Sequence, residues 1–219
     1  MFGQVLRAQW KYSRAGVAVF TVLCFAAPLA TVYYRPGEVL TGGVPVSSWL
    51  LGAERVGAAI PVLALLLGVV FGLGAWAPDT AGRHVYALAM PVPRWHYVLL
   101  RFGAGAALAT IPVVSLVAGS LIAAAAVTLP DGVHAYPVQL GLRFGFAVLV
   151  CFALIFTLAI ATRRAVLGVL GMLGGMLMAD VLLGVAGQES VVTETMFRLL
   201  TTWPGPLSIL IGRWALFDV

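Results

Sequence analysis

Apolar residues fill this chain in long blocks, and charged residues punctuate them. A helix that crosses a bilayer needs about 20 predominantly apolar residues, so the gaps between charges locate candidate spans. Residues 15–34 run 20 positions without a charge, 56–78 run 23, 102–130 run 29 and 144–162 run 19. Residues 165–188 run 24 positions with only Asp180 inside. With flanking residues added, the pattern predicts five transmembrane helices over about 15–34, 56–78, 98–128, 140–162 and 165–187. The last gap, 199–212, has only 14 residues and contains Pro204, Gly205 and Pro206. It is short for a span, so 191–217 reads as a re-entrant or interfacial segment. A tilted sixth span running to Val219 is the alternative.

The pattern changes at the N-terminus. Phe2, Val5, Leu6 and Trp10 recur at helical spacing, and Arg7, Lys11 and Arg14 recur on another face. That spacing predicts an amphipathic helix over 2–14. Such a helix lies in the interface plane with its aromatic and aliphatic side in lipid and its cations toward anionic headgroups. An ordinary basic flank is the plainer reading. The following apolar run is longer than the 7–15 residues of a signal-peptide core.

Composition agrees with the blocks. Of 219 residues, 62% are hydrophobic and 10% charged, against about 25% charged in a soluble domain. The mean hydropathy is +1.04. The chain has too little polar surface for a water-soluble globule, which excludes a soluble enzyme and a disordered chain. The net charge is +5. In a membrane protein that excess follows the positive-inside rule and does not argue for a nucleic-acid partner. With the N-terminus inside, eight cations fall on the inner side: Arg7, Lys11, Arg14, Arg83, Arg94, Arg101, Arg163 and Arg164. Arg35, Arg55 and Arg143 fall outside before the C-terminal stretch. The expected location is a bacterial-type cytoplasmic (inner) membrane, with a cytoplasmic N-terminus.

The inner loop after the second span is the most patterned stretch. Asp79 or Thr80 is placed to cap a helix N-terminus. Pro91 and Pro93 stop the helix, because neither donates a hydrogen bond and each biases its predecessor to extended geometry. A short helix over about 79–91 follows, with Val85, Leu88 and Ala89 on one side. An exposed helix of this kind suits docking; a solvated turn joining two spans is the alternative.

Within and after this loop, Asp79, Gly82, Arg83, Leu88, Pro91, Arg94, Tyr97 and Arg101 stand in an order that resembles the permease subunit of type-2 ABC transporters. The resemblance covers the first five spans in order and spacing. It implies that 79–91 is a coupling helix docking on a separate cytoplasmic ATPase, and that 2–14 is the family's connecting helix. It also implies a second permease subunit, as homo- or heterodimer. The family usually has six spans with a re-entrant element between the fifth and sixth. Here the last stretch is short for a sixth.

Other chemistry finds few residues to work with. Lys11 is the single lysine, so no P-loop is present and ATP hydrolysis is not expected in this chain. Cys24 and Cys151 lie in apolar runs and read as small hydrophobes. His84, His96 and His134 lie in loops, so no haem ligand sits at membrane depth. No His-Glu-x-x-His or Gly-x-Ser-x-Gly motif appears. No cofactor or metal is expected.

Asp180 is the only acid well inside a span. A charge at the bilayer centre costs roughly 2.5–3.5 kcal/mol on insertion scales, so it faces protein or water. It is a candidate for a transport path or proton relay. The plainer reading is an acid in the outer half of the fifth span, partnered by Arg143 or a backbone group. Gly68 with Gly72, and Gly171 with Gly175, form Gly-x3-Gly pairs that let helices approach closely, either within the bundle or at a dimer face. Pro28, Pro61 and Pro112 interrupt spans and predict kinks.

The sequence thus predicts an all-α polytopic membrane protein of one domain. Its leading function is a permease subunit forming the translocation path, coupled through 79–91 to a partner ATPase. A non-transporting structural subunit of a larger membrane complex, and a small secondary transporter using Asp180, are the competing expectations.

Overall fold

The computed structural model describes residues 1–33, 57, 59–77, 79, 93–127, 129, 132–161, 167–169, 171–172, 174–176, 178–179, 198, 202, 205 and 207–218. Four helices dominate: α1 (Phe2–Tyr33), α2 (Ala59–Gly74), α3 (Arg94–Ala125) and α4 (Pro137–Ala161). A shorter apolar helix covers Leu167–Met176. Two short strands, β1 (His134–Ala135) and β2 (Phe217–Asp218), pair antiparallel, with His134 opposite Asp218 and Ala135 opposite Phe217. Among the described residues, three helical stretches are long and apolar enough to cross a membrane: Phe2–Val32, Arg94–Ala125 and Pro137–Ile160. Asp180, Gly82, Arg83, Val85, Leu88 and Pro91 lie outside the described residues.

The helices pack as two parallel pairs. Gln9 of α1 meets Arg101 of α3, Ser115 of α3 donates to the Thr21 carbonyl, and Gly119 lies on the Phe25 carbonyl, so α1 and α3 run in step. In the second pair, a Cβ on Gly68 of α2 would collide with the Cβ of Cys151 in α4. One on Gly72 would come within 2.7 Å of the Ile155 side chain. Backbone approach of this closeness needs glycine, and dispersion contacts between the close helices hold them. The first Gly-x3-Gly pair is therefore an internal α2–α4 seam. By contrast, a Cβ on Gly171 or Gly175 would meet nothing within 4 Å.

The two pairs run antiparallel to each other, since Gly16 faces Val70 while Ser13 faces Gly74. Phe20, Cys24, Leu67, Phe71, Leu116, Phe144 and Phe152 fill the shared core. One end of the bundle, the basic end, carries the starts of α1 and α3, with Arg7, Lys11, Arg14 and Arg94 all exposed. The other end carries β1, β2 and the 207–218 segment.

The N-terminal amphipathic segment differs from expectation. Residues 2–14 are not a separate element: α1 runs without a break for 32 residues, about 48 Å. No proline interrupts it before Pro28. Its face carrying Val5 and Gln9 is buried in protein. Phe2 and Trp10 stay exposed, so the apolar stripe read from spacing is split between protein and surroundings. Arg7, Lys11 and Arg14 do share the exposed side.

The prolines also sort by position. Pro61 stands near the start of α2, where few helical bonds are lost. Pro28 and Pro112 lie inside continuous helices and are buried. The Thr31 hydroxyl donates to the Pro28 carbonyl at 2.6 Å. Pro93, expected to stop the preceding helix, occupies the N-cap of α3 with extended backbone.

Candidate functional site: a buried polar cluster at the basic end

The site is built from the end of α2, the first turns of α3 and one residue of α1. Helix α2 stops at Gly74, and its last carbonyls have no partner within the helix. The Ala75 carbonyl finds two from elsewhere. Arg101 Nη1 donates to it at 2.8 Å and Gln9 Nε2 at 3.3 Å. A guanidinium at this position also complements the negative end of the helix dipole. Gln9 Nε2 reaches the Arg101 carbonyl as well, at 3.2 Å, so one carboxamide ties three helices together.

Tyr97 and Arg101 stand one helical turn apart on α3 and so share a face. The remaining donors of Arg101 turn to an oxygen cluster. Nη2 forms an ion pair with Asp79 Oδ1 at 2.5 Å, and the two side chains are only 4% and 1% exposed. Nε and Nη2 also donate to the Tyr97 hydroxyl, at 2.9 and 2.6 Å. That hydroxyl in turn donates to the Asp79 carboxylate, with its oxygens at 2.8 and 3.0 Å. Burying two charges is tolerable only when their remaining hydrogen-bond capacity is filled, and here it largely is. Gln9 Oε1 is a buried acceptor without a partner among the described residues.

Aromatic rings seal the cluster on its core side. Phe102, next in chain to Arg101, lies 5.1 Å from Phe152 and 5.4 Å from Phe156, and Trp76 lies 5.2 Å from Phe156. Phe152 reaches over Gly105 so closely that a Cβ there would come within 2.7 Å of the ring.

The structure places the sequence-derived candidates unequally. It brings Asp79 together with Tyr97 and Arg101. The Asp79 carboxylate bonds both of these side chains; the helix it is expected to cap lies outside the described residues. Arg94 is exposed at the start of α3. Arg143 donates to backbone carbonyls of Ile209, Ile211 and Arg213; its expected partner Asp180 lies outside the described residues. Gln9 was missed entirely. It sits one turn from Val5 on the buried face of α1, away from the exposed Arg7, Lys11 and Arg14, and the one signal in the sequence is an amide between Val5 and Val17 on that face. Cys24 and Cys151 are buried free thiols. Among the described residues, no group of three or more His, Cys, Asp or Glu side chains is placed to hold a metal.

What this arrangement does chemically is hold geometry. Asp79 and Tyr97, 18 residues apart, are joined by a buried contact that Arg101 makes charge-assisted. Comparison of the chain with family models, with curated proteins and with solved structures returns no match.

Proposed function

We propose that the chain is the membrane permease subunit of an ABC transporter, coupled through residues 79–91 to a separate cytoplasmic ATPase. The observation that supports this reading is the Asp79–Tyr97–Arg101 cluster. Four positions of the permease-like pattern fall on described residues, and three of them share one buried contact, while Arg94 is exposed. A loop that transmits force needs a stiff base. Here a push on the loop would act on α2 through Asp79, on α3 through Tyr97 and Arg101, and on α1 through Gln9.

In this reading five helices cross the membrane and the basic end faces the cytoplasm. Helices α1 and α3 are each about 48 Å long, well over the ~30 Å hydrocarbon core. At a typical tilt of about 20° the core takes up roughly 21 residues, and about ten remain to project beyond it. The projecting turns carry Arg7, Lys11 and Arg94, which suits an anionic inner leaflet. The buried ion pair then sits near headgroup depth, where desolvation costs less than at the bilayer centre. A second permease subunit would complete the path.

The test is affinity purification of the complex, with Leu88→Asp beside the wild type. Coupling through this loop predicts that an ATPase copurifies with wild type, and that the variant inserts normally but loses the ATPase or its substrate stimulation in liposomes. An unchanged complex with unchanged coupling removes 79–91 from the mechanism. Recovery of other membrane subunits without any ATPase replaces the permease with a structural subunit.

A further inference from the structure

The end of the bundle opposite the basic end carries a cavity with fixed walls. Residues 207–218 form one wall. Trp214, Leu216 and Phe217 belong to the buried core, β2 pairs with β1, and the Tyr136 N–H donates to the Leu216 carbonyl at 2.9 Å. Arg143 of α4 fastens the rest of the segment by donating to the carbonyls of Ile209, Ile211 and Arg213. Gly212, at φ +103, turns the backbone around that guanidinium. A pocket whose walls are already in place pays little ordering entropy when it takes up a ligand.

The cavity has a volume of about 380 Å³. Tyr136, Gln139, Leu140 and Arg143 line one side, and Arg213 and Asp218 the other. Its charges are of both signs. Arg213 Nη1 stands 3.7 Å from Asp218 Oδ1, and the two side chains are 72% and 47% exposed, so both reach a ligand in the mouth. The Arg143 guanidinium uses three of its five N–H donors on the carbonyls of the segment. Gln139, exposed beside it, adds a neutral amide. Guanidinium and amide donors suit an anion, and the carboxylate next to them suits a cation. A zwitterion with its two charges close together satisfies both.

The surface beside the cavity indicates what the zwitterion is attached to. Val138, Leu142 and Phe146 recur at four-residue spacing on α4, and each is more than half exposed. They form an apolar stripe that borders Gln139 and leads from the cavity toward the middle of the helix. Helix α4 has 25 residues, about 38 Å, against a hydrocarbon core of about 30 Å, so in a bilayer its first turns stand at the polar boundary. A headgroup in the cavity has an acyl track along this stripe. The cation's form follows from the aromatic rings. A quaternary ammonium is held by aromatic faces, and the Trp214 ring already has the Arg143 guanidinium carbon 4.4 Å from its centre. A primary ammonium instead donates to a carboxylate. We propose that this cavity binds the headgroup of a zwitterionic phospholipid, a phosphodiester joined to a primary amine as in phosphatidylethanolamine. The phosphate lies on Arg213 and Gln139 beside the Arg143 charge, and the ammonium on Asp218. The site requires a bilayer and not a transport path, so it is independent of the permease reading.

The test is native mass spectrometry of the purified full chain in detergent, titrated with phosphatidylethanolamine, phosphatidylcholine and phosphatidylglycerol of identical acyl chains. Phosphatidylethanolamine should bind roughly tenfold tighter than the other two, the difference that one charge-assisted hydrogen bond makes. Asp218→Asn should abolish this preference and leave phosphatidylglycerol binding in place, whereas Asp218→Glu should keep it. Arg213→Gln should weaken all three lipids. Equal binding of the three lipids by wild type would overturn the proposal, as would an unchanged preference in Asp218→Asn. Loss of all three alike in Asp218→Asn would do the same, because the carboxylate would then carry no selectivity. Soluble glycerophosphoethanolamine has the headgroup without the chains and should not displace the lipid at equal concentration. Displacement would mark a site for a small solute and sink the lipid assignment.

Discussion

Arg101 and Asp79 are separated by 22 residues in sequence, yet their side chains meet at 2.5 Å with almost no exposure. The contact joins the end of α2 to the start of α3, and the Tyr97 hydroxyl completes it. A single oxygen thus receives from Arg101 and donates to Asp79.

This relationship predicts an asymmetric mutational pattern. Arg101→Met strands the Asp79 carboxylate in a buried site and should cost about 3–5 kcal/mol, as breaking buried pairs does. Asp79→Asn combined with Arg101→Met should recover a good part of that loss. Tyr97→Phe should cost less, about 1–3 kcal/mol, by leaving polar groups unpaired. Thermal unfolding in one detergent, read as a double-mutant cycle, checks all three. Additive losses in the double variant would show that the two residues are not coupled.

The two glycine pairs should respond oppositely to alanine. Gly68→Ala and Gly72→Ala force side chains into the α2–α4 seam and should destabilise by about 1–3 kcal/mol each. Gly171→Ala and Gly175→Ala meet open space, and a helical glycine replaced by alanine gains up to about 1 kcal/mol. Melting temperatures of the purified single variants decide the matter. A stable Gly72→Ala protein would argue against the seam.

Orientation follows from charge, so it should fail with charge. In intact cells, a cysteine at exposed His134 should react with an impermeant thiol reagent and one at His84 should not. Arg7, Lys11 and Arg14 face away from the bundle, and changing all three to Glu leaves the buried contacts of Gln9 in place. The triple variant should therefore keep its helix content yet insert in mixed orientation, so that both cysteines label in part. Labelling at 84 alone in the parent would reverse the topology.

Much of the bundle was legible from pattern alone. Four of the charge-free runs overlap α1 to α4, because a segment without charges and with few breakers satisfies its backbone only as a helix in an apolar environment; α1, α3 and α4 each begin before their run, over Arg7 to Arg14, Arg94 to Arg101 and Arg143. Exclusions were equally legible: a single lysine without its glycines cannot form a P-loop in any fold. Residue order also pointed to Asp79, Tyr97 and Arg101, though as separate points in a motif.

Partners were a different matter. Nothing in the spacing of Phe2, Val5 and Trp10 reveals that Val5 is buried in protein while the other two stay partly exposed, since helical periodicity defines a stripe without saying what covers it. The same limit hid Gln9. Arg143 illustrates it from the other end. By sequence it was a cation near a span terminus with Asp180 as a candidate mate, and its three carbonyl acceptors lie 66 to 70 residues away. Local pattern determined where helices form and which groups they expose. Which exposed group meets which was decided by how the helices stack, a choice made by close packing over long sequence separations, as at Gly68 against Cys151, where the absence of one side chain sets the position of another helix.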